Sequence, residues 1–281
     1  MMLLIFGLGY TGRAVAALAR ANGIAVCGTS RESAADGGIA FQQAGEAVAQ
    51  ATHLLSTAPP DASGDPVLAR YAAQIEAAPA LRWIGYLSST VVYGDRAGGW
   101  VDEDTPPQPS QERGQRRLDA ELAWSRFAGR RAVDVFRLAG IYGPGRSAFD
   151  DLRAGRARRI AKPGHAFGRI HRDDITRAVL AAMRQQRPPG TRILNLNDDE
   201  PAETSAVIAE AAHLLGIAPP TEIPFAQALP GMSPMARSFW VENRKVASRK
   251  TQAALGISWR YPTYREGLRA ILAQQRAKDP A

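Results

Sequence analysis

The chain is poor in the residues that make covalent and metal cross-links. Its 281 residues include one cysteine, Cys27. A lone thiol excludes an intrachain disulfide and any zinc site built on paired cysteines; it fits a reducing compartment, so a cytoplasmic location is expected. The four histidines, at 53, 165, 171 and 213, show no metal-ligand spacing, and no metal is expected. No apolar run approaches the roughly 20 residues that span a bilayer, so no membrane partner is expected. The opening MMLLIFGLG has no basic head and meets glycine after a few apolar residues, unlike a signal peptide.

Lysine is scarce too: 31 of the 35 basic residues are arginine. The net charge of +8 raises nucleic acid as a partner. The densest basic stretch, Arg153 to Arg159, has no aromatic residue on which a base can stack, and nucleic acid is not expected. With 45% hydrophobic residues the chain has ample material for a packed core.

Short β-type runs alternate with helical spacing through the first two hundred residues, the pattern of a parallel sheet covered by helices. Strands are expected at Met2–Phe6, Ile24–Thr29, Ile39–Phe41, His53–Thr57, Trp83–Ser88, Val133–Leu138 and Arg192–Leu196. Helices are expected over Thr11–Asn22, Gly45–Ala51, Asp65–Ala77, Ser110–Phe127 and Asp173–Gln186. After residue 200 the alternation gives way to helices between proline-rich loops. The expected class is α/β, a doubly wound parallel sheet of the Rossmann type with a small, mostly helical C-terminal cap. Residues 1–143 and 167–198 would form the dinucleotide-binding domain, and 144–166 with 199–281 the substrate-binding cap.

Gly7-Leu8-Gly9-Tyr10-Thr11-Gly12 is a GxGxxG between the first strand and the first helix. Glycine is needed there for a tight turn, for backbone approach to a diphosphate and for close helix–strand packing, and the helix N-terminus favours the anion. These residues are the expected cofactor loop. A chain that binds NAD usually carries an acid about 20 residues later to hold the ribose. Here Gly28-Thr29-Ser30-Arg31 stands in that place, and the first acid is Glu32. Arg31 suits a 2′-phosphate, with hydroxyl help from Thr29 or Ser30, so NADP(H) is expected over NAD; the alternative is a solvated loop cation. Ser56-Thr57-Ala58 closes the fourth strand and would pass beside a ribose, or be an ordinary polar turn.

GLGYTG, LSSTVVYGD (87–95), DEDTPPQPS (102–110), FRLAGIYGPGR (136–146), RIHRDDI (169–175) and ILNLNDDEP (193–201) occur in that order. Over residues 1–201 the chain resembles the extended and atypical short-chain dehydrogenase/reductases, relatives of nucleoside-diphosphate-sugar epimerases and dehydratases. The resemblance implies that Leu87 and Ser88 join the cofactor contacts and that Ser89 is the family's serine. It also implies a Tyr-x-x-x-Lys on the next helix, and none occurs in this sequence. Arg113 and Arg117 stand at those positions. Arg117 keeps a positive charge beside a ribose. Arg113 has no exchangeable proton at neutral pH and cannot replace the phenol.

Tyr93 is the expected substitute phenol; Tyr142 and His171 are weaker candidates. Asp173 and Asp174 read as helix-start carboxylates. Met232, Met235, Phe239 and Trp240 are pocket wall or core, and Arg137, Arg146, Arg169 and Arg172 are an anion site or a solvated surface. Two functions remain: an oxidoreductase or epimerase/dehydratase-like enzyme on a carbonyl or hydroxyl compound, or an NADP(H)-holding module without chemistry. The resemblance also implies a homodimer through the helices near 65–77 and 110–127.

Overall fold

The computed structural model describes residues 1–30 and 38–278. Strand β1 (Met2–Phe6) is apolar along its whole length because both its faces are covered. Leu3 and Ile5 point into one cluster, Leu4 and Phe6 into the other, with the period of two that a strand imposes. Around β1 lie β2 (Ala25–Ser30), β3 (Ile39–Ala40), β4 (His53–Ser56) and β5 (Trp83–Ser89). The seven-stranded sheet runs Gly190–Leu196, Ala132–Leu138, β5, β4, β1, β2, β3, and every neighbouring pair is parallel. The chain reverses its winding between β1 and β4, so a cleft opens at the carboxyl ends of those strands. This is the expected doubly wound sheet.

Helix α1 (Tyr10–Ala21) buries Val15, Ala16 and Ala19 on one face of the sheet. The opposite face carries α2 (Gly45–Gln50), α3 (Pro66–Ala77) and α4 (Glu112–Ser125). Asp65 caps α3, one carboxylate oxygen accepting the N–H groups of Val67 and Leu68. Its other oxygen accepts the indole N–H of Trp124 on α4 at 2.8 Å, so one residue starts α3 and fixes the position of α4.

Helix α5 (Ala148–Arg153) starts with a Ser147–Asp150 capping box and packs on α7 (Thr204–Leu215), beyond α6 (Arg172–Arg184), which lies against α1. Phe149, Val207, Tyr264 and Leu268 share one apolar cluster there. Strand Ile160–Ala161 pairs with Ile223–Pro224. The segment 245–261 leans the other way. Leu255 and Trp259 join the cluster under the sheet, and Asp174 on α6 accepts the backbone N–H groups of Arg260 and Tyr261 at 2.7 and 2.9 Å. Among the described residues no helix is long and apolar enough to cross a membrane, and no group of His, Cys, Asp or Glu is placed to hold a metal ion.

Candidate active site

The glycine turn is shaped by its own backbone. Gly7 has φ +99°, and a β-carbon there would lie 2.6 Å from Thr57 Oγ1. A β-carbon at Gly12 would lie 2.1 Å from the Gly7 carbonyl oxygen, so the first turn of α1 can seat against β1 only with glycine there. Thr57 Oγ1 donates to the Gly7 carbonyl at 2.7 Å, and Gly7 N donates to Thr29 Oγ1 at 3.3 Å. Gly9 differs. It is the N-cap of α1, and a β-carbon there would meet nothing within 4 Å. No side chain caps α1 and no acid sits in its first turn, so its leading N–H groups are left for an external acceptor.

These groups open onto a cavity of about 600 Å³. Of the expected cofactor residues, Gly9, Tyr10, Thr11, Thr57, Leu87, Ser88 and Arg117 line it. Gly7, Gly12, Thr29, Ser56 and Ala58 do not: Thr29 and Ser56 are buried, and Ala58 packs against the cluster of Phe6 and Tyr71. Thr29 therefore braces the loop, which corrects the expectation that its hydroxyl reaches a phosphate. Ser30 is half-buried at the end of β2. Arg31 lies outside the described residues.

At the other end of the cavity, Ser89 faces inward while its Oγ accepts from Val91 N at 3.3 Å. Ser88 Oγ turns back to donate to Glu121 Oε1 at 2.6 Å. Glu121 is clamped by Arg137, whose Nη2 donates to Oε2 at 2.8 Å with both side chains 4% exposed. The Arg137 guanidinium in turn lies 4.7 Å from the centre of the Tyr93 ring. Behind β5 there is thus a closed polar chain that holds the strand's end in place.

Arg113 and Arg117 reach the cavity from successive turns of α4. Arg117 Nη1 donates to the Leu87 carbonyl at 2.9 Å and to the Tyr86 hydroxyl at 3.2 Å. Arg113 lies over the Phe239 ring at 5.3 Å, and partial burial together with the Arg117 charge lowers its affinity for its proton. Arg146, Arg169 and Arg244 also reach the wall, against one carboxylate, Glu242. Glu242 is engaged already, accepting from Ser110 Oγ and Arg244 Nη1, each at 2.6 Å.

Tyr93 is not a cavity residue, and the expectation that it offers a phenol there is corrected. It is fully buried, its hydroxyl donates to Asn195 Oδ1 at 2.8 Å, and burial raises its pKa. The two phenols on the wall are engaged as well. Tyr10 donates to the Pro144 carbonyl at 3.0 Å and Tyr142 weakly to the Thr263 carbonyl at 3.4 Å; burial pushes both above the ordinary value. His171 is buried off the wall, where it caps α6 by accepting Asp173 N at 3.1 Å. Burial lowers its pKa to about 4, so it is neutral at physiological pH. His171 is thus the N-cap of α6, and Asp173 and Asp174 are the expected carboxylates of its first turn. The expected arginine cluster divides: Arg146 and Arg169 line the cavity, Arg137 pairs with Glu121, and Arg172 pairs with Asp173. Met232 and Trp240 are core, while Phe239 is exposed on the wall.

Sequence reasoning missed Gln111, Thr204, Glu242 and Arg244 on the wall. They come from separate segments with no shared spacing, so no local signal marks them.

A glycine turn between β1 and α1 of a doubly wound sheet, opening onto a cleft that continues past the serine end of β5, defines a Rossmann-like α/β protein. No family model matches the sequence. The structure of a functionally unknown conserved protein from Silicibacter pomeroyi DSS is 43% identical, with a TM-score of 0.87, 98% of this chain and 99% of that one being covered. The chain belongs to the same family as that protein. Human epimerase family protein SDR39U1, solved with NADPH, shares the fold at 18% identity and TM-score 0.79, covering 97% of this chain and 99% of that one. MoeE5, solved with UDP-glucuronic acid and NAD, shares it at 21% and 0.77, covering 99% of this chain and all of that one.

Among curated relatives, protein YeeZ of Escherichia coli is 35% identical over 138 residues, 48% of this chain and 47% of YeeZ. A 3-diazoavenalumate denitrifying reductase of Streptomyces is 30% identical over 175 residues, 60% of this chain and 55% of the reductase. The chain spans about half the length of the curated relatives it matches.

Proposed function

We propose that the protein binds NADP(H) along the cavity and acts as an oxidoreductase, or an epimerase/dehydratase-like enzyme, on a carbonyl or hydroxyl compound, with no tyrosine as proton donor. The observation that carries this reading is the start of α1: uncapped, free of acid, with Gly9 open toward a cavity that runs on to Ser89. Gly9, Tyr10, Thr11 and the leading amides of α1 would hold the diphosphate, and Arg117 would face a ribose. Arg31 in place of the ribose-binding acid supports NADP(H) over NAD. The NADPH and NAD complexes of the fold neighbours and the reductase among the relatives support a nicotinamide coenzyme.

When bound, the coenzyme supplies or accepts hydride at its nicotinamide ring. The chain's part is to orient and to stabilise. Ser89 hydrogen-bonds the reacting oxygen, with water as the proton source. The lone free thiol, Cys27, supports a cytoplasmic location.

The second reading, a coenzyme-holding module that does no chemistry, draws on one observation. Both phenols on the wall donate to backbone carbonyls, and the family's tyrosine is Arg113. Oxidation of NADPH in the presence of a panel of carbonyl compounds separates the two. Turnover that falls about tenfold or more in Ser89→Ala supports the enzyme, since an oxyanion hydrogen bond is worth at least that. Tight NADPH binding without turnover on any compound supports the module.

A further inference from the structure

The cavity holds more positive charge than its own side chains neutralise, and the imbalance is local. Arg244 is paired with Glu242, and Arg169 is half-buried with donor bonds to the carbonyls of Phe167 and Ala202. Arg146 sits at the glycine end, beside the ring of Tyr10. Arg113 makes no hydrogen bond to any described residue, and only Nη1 of Arg117 does so. Two guanidiniums one helical turn apart repel each other. An oxyanion between them relieves both, and a guanidinium fork matches its geometry. Phe239, 50% exposed beneath Arg113, offers a flat apolar plate for the rest of such a molecule.

We infer that Arg113, with the charge of the ribose-facing Arg117 one turn away, forms a subsite for the acidic group, carboxylate or phosphate, of a small organic substrate whose apolar part lies against Phe239. Arg113 then takes over substrate recognition at the position where relatives carry a proton donor. The inference rests on the reading that the coenzyme occupies the glycine end, which leaves this end to the substrate.

Calorimetric titration of NADPH-saturated protein with benzoate, benzamide and phenyl phosphate tests it. The two anions should bind, the neutral amide at least about tenfold more weakly, and affinity should fall with added salt. The tighter of the two anions identifies the group. Arg113→Ala should weaken the anions by about tenfold or more and Arg113→Lys by less, with NADPH affinity held within about twofold. Equal binding of benzoate and benzamide, or unchanged anion affinity in Arg113→Ala, would overturn the inference. So would competition between benzoate and NADPH, which would make the anion a coenzyme phosphate. Arg113-dependent benzoate binding by a protein that takes up no NADPH would leave the subsite standing and defeat the coenzyme reading instead.

Discussion

The two ends of the cavity are built from different materials. At the glycine end the wall is backbone: Gly7 and Gly12 set the turn, Gly9 leaves room, and the amides of α1 point outward. At the arginine end the wall is long side chains from α4 and from segments as far apart as 138–142 and 238–246. A backbone site needs only residues with little or no side chain, in a fixed local order. A side-chain site needs charged groups to be held, so it requires a second layer behind it. Here that layer is the buried chain from Ser88 through Glu121 and Arg137 to Tyr93 and Asn195.

The largest effect is expected in that second layer. Glu121→Ala leaves the Arg137 charge buried without its partner and the Ser88 hydroxyl without its acceptor, and should cost about 3–5 kcal/mol of stability. Replacing Glu121 and Arg137 together by leucine should recover most of it, as denaturant unfolding would measure. A single variant as stable as the parent would mean that the arginine end needs no support.

A change of pH probes buried histidines that lie off the cavity wall. Burial holds His53 on β4 and His171 at α6 at about 4, below the unfolded value near 6.5. The unfolded chain therefore binds more protons between those values. The stability these two groups contribute is complete above about pH 6.5 and is lost as pH falls toward 4, about 2–4 kcal/mol together. Burial raises Asp174 and Asp198 instead, so their folded forms hold protons more tightly and favour folding as pH falls. Unfolding midpoints at pH 7 and 4.5 decide between them, and a lower midpoint at pH 4.5 is expected.

The smallest effect sharpens the contrast between wall and support. Tyr93→Phe removes one buried hydrogen bond to Asn195 and should cost about 1 kcal/mol of stability while leaving turnover unchanged. A fall in turnover without loss of stability would return Tyr93 to the reaction.

The same division explains what the sequence made readable. The strand and helix positions and the glycine turn follow from short apolar runs, helical spacing and one contiguous motif. Arg113 and Arg117 were visible because they stand where the resemblance implies a Tyr-x-x-x-Lys. Tyr93 was misread because the sequence places it at a strand's carboxyl end but does not say which way it turns; the short helical turn Thr90–Tyr93 carries it inward to Asn195. Glu242 and Arg244 come from a stretch with no periodicity, and Asp174 reads as a helix-start acid until the backbone of 260–261 is seen to fold onto it. Long-range contacts of this kind leave no local trace.

The central claim is that the glycine turn receives a dinucleotide diphosphate, and Gly9→Val tests it most directly. A side chain there meets no protein atom within 4 Å of its β-carbon, so the fold should persist while the space beside the α1 amides is filled. In calorimetry with NADPH and NADH, the parent protein should bind, NADPH the more tightly, and the folded Gly9→Val variant should lose both by about a hundredfold or more. No heat from the parent with either coenzyme, or equal affinity in parent and variant, would contradict the account.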